Sequence, residues 1–148
     1  NKVDTVLINS NFSCNFFIIR NSLYDILKFK YNIHSLFDPC SYPGIQCKFF
    51  YNIENEENDG VYKCENKCTL NKKNKKINKC KIISFMVFRT GSILIVGNCD
   101  EDIINIIYRF IIDIFKKELH NDIITKKIEN KKKHRKKHRK RILKFTNT

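Results

Sequence analysis

The chain is poor in residues that break regular structure. It has 4 Gly and 2 Pro in 148 residues, so long ordered elements and few loops are expected. It lacks any run approaching the roughly 18 apolar residues of a membrane span. Its richest stretch, residues 103–115, is interrupted by Asn105, Arg109 and Asp113. No secretory signal is visible in the sequence, whose start is polar with no apolar segment behind a basic one, so none is expected. A soluble, intracellular chain with no membrane partner is therefore expected. No Gly-rich phosphate loop occurs, and neither His34 nor His120 has a nucleophile at a recognisable spacing. The expectation is a chain that is not an enzyme. The first residue is Asn1 and not Met, which reads as an excerpt of a longer product.

What is abundant is positive charge, and it is unevenly spread. The net charge is +14, with 29 Lys/Arg against 15 Asp/Glu. Residues 125–148 hold 12 of those bases and 1 acid, leaving 17 bases and 14 acids for residues 1–124. The body is thus near neutral, and the basic signal belongs to the tail. Residues 131–141 read KKKHRKKHRKR, a segment expected to be solvated and to neutralise phosphates without sequence preference. It also fits a nuclear-import patch. His134 and His138 sit four apart, but so much positive charge around them disfavours metal.

Hydrophobic patterning gives the elements. Residues 3–19 read as strand, with a bend near Asn9–Asn11. Residues 21–30 read as a short helix, capped by Asn21 or Ser22, with Leu23, Ile26 and Leu27 as its apolar stripe. Residues 37–39 and 42–44 are turn signals, and residues 45–52 read as a second strand. Residues 81–89 and 92–97 read as a hairpin around Thr90-Gly91. Asp100 caps a long helix whose stripe is Ile103, Ile107, Phe110, Ile111 and Ile114. Both hairpin strands are apolar without strict alternation, so both faces should be covered, one by the helices and one by a partner. The fold class is α+β, a curved antiparallel sheet with two helices on one face. The domain spans residues 1–124, and residues 125–148 form the tail.

Residues 53–80 are polar and read as an insertion outside the core. The odd total of 7 Cys argues against a complete disulfide framework. Cys64, Cys68 and Cys80 follow the spacing C-x3-C-x11-C. Zinc wants four thiolate or imidazole ligands, so structural zinc on these three and Cys47 is expected, with Cys40 and His34 as other fourth ligands. The competing reading is a loop with idle thiols. Cys14 and Cys99 read as core or surface residues.

The element order resembles a repeat of the TATA-binding protein family. Tyr42-Pro43-Gly44-Ile45 is similar to that family's Phe-Pro-Gly-type turn. Residues 86–97, MVFRTGSILIVG, are similar to its central hairpin, and Asp100-Glu101-Asp102 to the acidic helix start that follows. The Cys-containing insertion resembles divergent versions of the fold in large DNA viruses. The resemblance covers residues 3–119 apart from the insertion. It implies a concave sheet laid on the DNA minor groove, with apolar wedges between base steps, in transcription initiation. Phe88 and Tyr42 take the wedge positions, Lys48 a phosphate-contacting position and Asn9 a groove-reading position. Alternation from Phe88 adds Ser84, Met86, Ser92, Leu94 and Val96 to the DNA side, and turns Phe85, Val87, Ile93 and Ile95 toward the helices. Ser92 and Val96 replace a Lys and a Thr of the family, which leaves sequence preference open. The family uses two repeats, so the resemblance implies a second repeat in the same chain or by dimerisation, transcription factors as partners, and a nucleus or viral replication compartment. The alternative is an assembly module whose sheet face packs on another protein, with nucleic-acid affinity from the tail alone.

Overall fold

The elements run β1 (Ile8–Ser13), β2 (Phe17–Ile18), α1 (Arg20–Asp25) continuing into one π-helical turn (Ile26–Lys30), β3 (His34–Leu36), β4 (Gly44–Asn52), β5 (Cys80–Phe88), β6 (Ser92–Gly97), α2 (Glu101–Glu118) and β7 (Ile124–Thr125). They are seen in a computed structural model that describes residues 7–63, 80–118, 120–121 and 123–125. Five strands form one antiparallel sheet in the order β1-β6-β5-β4-β3, and β2 and β7 form a separate two-stranded ribbon. The class is α+β, with an open antiparallel sheet and two helices.

Local signals explain α2. The Asp100 carboxylate accepts the Ile103 amide at 3.0 Å, and Glu101 and Asp102 occupy the positive end of the helix dipole. Ile103, Ile107, Ile111 and Ile114 are all 3% exposed or less. That stripe meets the sheet, where the Phe110 ring stands edge-on to Phe49 at 5.1 Å. Leu23 and Leu27 of the first helix line a small gap with Phe85, Val87, Ile111 and Phe115. Both helices therefore lie on the face that carries Phe85 and Val87. Burying each such side chain contributes about 1.5–3 kcal/mol.

The first helix differs from expectation at both ends. It begins at Arg20 after Ile19, which is extended and makes no side-chain cap. Ile19 is held in that conformation because its amide donates to the Ile123 carbonyl at 2.8 Å. The ribbon, not a capping side chain, sets the start. At the other end the Tyr31 amide donates to Ile26 at 3.1 Å, the i→i−5 bond of a π turn. Asn32 then adopts φ +54°, a left-handed stop that Asn tolerates.

Three further differences concern the strands. Asn9 to Asn11 are regular strand, and the break falls at Cys14–Phe16, around Asn15 at φ +59°. The insertion is not wholly outside the core: Gly60 is buried and bridges Phe50, and Val61 packs against the core. Its start is tied down by Asn52, whose amide donates to Asn58 Oδ1 at 2.8 Å. β3 and β7 add edge pairing where none was expected.

Glu118 is the only buried charged residue among those described. Its carboxylate accepts from Lys30 Nζ and from the Tyr31 hydroxyl, each at 2.6 Å, and from the Asn121 amide. These donors, Lys30 foremost and then Tyr31, hold the carboxyl below its usual range. They join the end of α2 to the π turn.

Candidate nucleic-acid interface

Strand register decides what the face opposite the helices presents. On β5, Ile83, Phe85 and Val87 are buried, so Ile82, Ser84, Met86 and Phe88 point the other way. Pairing carries that face across the sheet. Ser84 lies opposite Val96 and Lys48, and Met86 opposite Leu94 and Gln46. Val96 lies opposite Asn9, Leu94 opposite Asn11, and Ser92 opposite Ser13. The edge strand adds His34 beside Lys48 and Leu36 beside Gln46. All eight strand residues singled out by alternation or resemblance (Asn9, Lys48, Ser84, Met86, Phe88, Ser92, Leu94 and Val96) thus share one face. Phe85, Val87, Ile93 and Ile95 are each 1% exposed or less on the other.

This face is largely apolar along its middle, where Ser84 and Ser92 interrupt it, and polar at its sides. Leu94, Val96, Met86 and Ile82 form the middle. Asn9, Asn11 and Ser13 border it on β1, and Gln46 and Lys48 on β4. No outward position of the five strands holds a carboxylate, and Lys48 is its one ammonium. A surface of this kind does not repel a phosphate backbone, and its amide and hydroxyl groups can donate or accept.

Tyr42 sits outside the strands but joins the face at one end. Its ring centroid lies 6.0 Å from that of Phe88, tilted by 56°. Its hydroxyl donates to Met86 Sδ at 3.3 Å, which supplies the partner a half-buried phenol needs. Gly44 lies beneath both rings, where an added Cβ would stand 3.0 Å from Phe88 and 3.1 Å from Tyr42. The turn before it is fixed by Asp38. Its carbonyl accepts the Tyr42 amide at 2.9 Å, and its carboxylate accepts the Cys40 amide at 3.0 Å and the Ser41 hydroxyl. Those bonds, Ser41 first, hold the Asp38 carboxyl below the usual range. The Arg20 guanidinium closes the arrangement, donating to the Pro43 carbonyl and lying 5.1 Å over the Phe37 ring.

The face also carries residues that the sequence reading passed over, namely Asn11, Ser13, Gln46, Leu36 and Ile82. Counting by two from Asn9 and from Lys48 would have found Asn11, Ser13 and Gln46. Leu36 required knowledge of β3.

Of the four expected metal ligands only Cys47 and Cys80 lie among the described residues, and these two are not brought together. Cys47 pairs with Phe85, whereas Cys80 pairs with Asn52, five residues further along β4. At about 3.4 Å per residue the two lie about 17 Å apart, against the few ångströms between ligands of one zinc ion. Cys47 also points into the core, 2% exposed, with its thiol facing Ser35 Oγ at 3.6 Å. Cys40 lies in the turn at the opposite end of the sheet from Cys80, and His34 lies beside Lys48. Cys64 and Cys68 fall outside the described residues, as does the segment 131–141. Among the described residues no group of three or more His, Cys, Asp or Glu could hold a metal. Burial pushes the Cys47 thiol up to about 12 and that of Cys14 up to about 11.

Comparison with protein-family models, with curated proteins and with solved structures finds no match for this chain. Among the described residues no helix is long and apolar enough to cross a membrane.

Proposed function

We propose that the chain binds duplex DNA through the open face of its sheet, as a single TATA-binding-protein-like repeat that bends the minor groove. The observation that carries this reading is a carboxylate-free apolar face with the Phe88–Tyr42 ring pair at one end. Apolar side chains wedged between base steps cost a few kcal/mol of stacking per step, offset by the contact that a bent duplex allows. The minor groove offers mainly an A·T-versus-G·C distinction, so a few amide groups such as those of Asn9 and Gln46 suffice to read it. Lys48 supplies a phosphate contact. In this reading the partners are a second such repeat and transcription factors, and the setting is transcription initiation in a nucleus or viral replication compartment.

The test is energy transfer between dyes at the two ends of a short duplex, with the full chain. Transfer should rise on an A·T-rich duplex and not on a G·C-rich one. Phe88→Ala should abolish the rise while binding, followed by anisotropy, persists through the tail. Unchanged transfer with Phe88→Ala sinks the proposal.

A second reading is favoured by Leu7, Leu36 and Ile82, which are 60%, 59% and 44% exposed. Strand alternation puts Leu36 and Ile82 on this same face, and Leu7 directly precedes β1. In that reading the face packs on a protein and the tail alone holds nucleic acid. It predicts no bending with any duplex, and self-association or a protein complex that Ile82→Glu disrupts.

A further inference from the structure

Two guanidiniums stand beside the two rings at the end of the sheet. Arg89 directly follows Phe88, one Cα step of about 3.8 Å away. The Arg20 guanidinium donates to the carbonyl of Pro43, which directly follows Tyr42, and lies 5.1 Å from the centre of the Phe37 ring. With Pro43, Phe88, Thr90 and Ser92 the two arginines line one open cleft of about 520 Å³. No carboxylate lines it, and among the described residues neither guanidinium pairs with one. Two like charges facing a cleft without a counter-charge repel each other and gain nothing for the fold. The Pro43 carbonyl and the Phe37 ring hold Arg20 in place, yet a guanidinium has five N–H donors, so most of its fork is left for a ligand. Arg89 is exposed, and Thr90 and Ser92 add hydroxyls.

The place of this cleft matters for a duplex on the open face. Wedging rings into a base step kinks the duplex, and the phosphates beside that step need cations to hold them. Lys48 cannot serve them. It pairs with Ser84, four positions along β5 from Phe88, or about 14 Å at strand spacing. The arginines lie at the step itself.

We infer that the Arg20–Arg89 cleft is a phosphate site, holding a backbone phosphate of the duplex beside the step that Phe88 and Tyr42 wedge. This inference rests on the DNA-binding reading of the open face. Planar guanidinium forks match phosphate oxygens in bidentate geometry. A contact of this kind positions the duplex and reads no base, so the cleft strengthens the grip on whichever duplex the sheet bends.

The test is the salt dependence of duplex binding by the full chain, native and Arg89→Gln. Each neutralised phosphate contributes about 0.9 to the slope of log affinity against log salt. On an A·T-rich duplex Arg89→Gln should flatten the slope by about that amount and weaken binding about five- to tenfold at about 0.1 M salt. Arg89→Lys, which keeps the charge, should restore the slope. On a G·C-rich duplex, which the sheet does not bend, Arg89→Gln should change affinity less than about twofold. Sodium phosphate should displace the A·T-rich duplex no better than sodium chloride of equal ionic strength. An unchanged slope, or an equal loss on both duplexes, overturns the inference and leaves the sheet reading standing as long as the native chain still bends the A·T-rich duplex. Stronger displacement by phosphate from the native chain than from Arg89→Gln would make the cleft a site for the free ion and overturn the duplex contact. No bending by the native chain overturns both readings.

Discussion

Replacing Gly91 by Ala tests whether the hairpin turn is locked to the loop between β1 and β2 as described. Gly91 has φ +80°, and a Cβ there would stand 2.2 Å from the Phe16 carbonyl oxygen. That is about 1 Å or more inside van der Waals distance, and the obstacle is backbone, which cannot rotate away. Ala pays about 1–2 kcal/mol for the left-handed conformation itself. Relieving the clash requires the loop to withdraw, and the loop is held by the Cys14–Gly91 and Ile18–Arg89 bonds. Each contributes about 1 kcal/mol. The expected loss is about 3–5 kcal/mol, a large share of a domain stability of about 5–15 kcal/mol.

Urea unfolding of the full chain, followed by far-ultraviolet circular dichroism, measures it. Gly91→Asn separates the two causes, because Asn tolerates positive φ but carries the same Cβ. Asn should rescue no more than the conformational part, leaving a loss of about 2–3 kcal/mol. A loss below about 1 kcal/mol for Ala, or full recovery with Asn, would refute the contact with Phe16 as the cause.

Two further predictions concern buried groups. Glu118 has a folded pKa below its unfolded value, so its contribution is complete above the ordinary carboxyl range and is lost as pH falls from about 5 toward the lower folded value. Glu118→Gln should therefore cost about 1.5–3 kcal/mol at neutral pH and flatten the acid limb of the stability curve. Parallel curves for the two proteins would exclude Glu118 as its source. For the thiols, iodoacetamide at about pH 8 should modify exposed Cys40 and spare Cys47, which is buried and protonated, until the protein unfolds. Equal labelling of both, mapped by peptide mass, would mean that Cys47 does not face the core.

The face of the sheet and the buried wall behind it were legible because a strand has a period of two. One anchor, Phe88, assigns Ser84, Met86, Phe85 and Val87 without knowing any partner strand. The long helix was equally legible, since its cap at Asp100 and its stripe lie within one continuous stretch. Carrying the face to Lys48 and Asn9 depended on the resemblance, and only the pairing register places them in one row with Ser84 and Val96. The register also separates Cys47 from Cys80, which share a residue type but no place.

The sequence by itself determined the α+β class, the long helix with its cap, and the two faces of the central hairpin, because each follows from neighbours a few residues apart. Tertiary structure alone decided the rest. Two-residue strands such as β2 and β7 have no periodicity to read, and their pairing joins Ile18 to Ile124 across most of the described chain. Glu118 looks like one more charge at a helix end until Lys30 and Tyr31 arrive beside it. The start of the first helix at Arg20 and the docking of residues 123–125 beside β2 both depend on bonds between residues distant in sequence, which no local preference encodes.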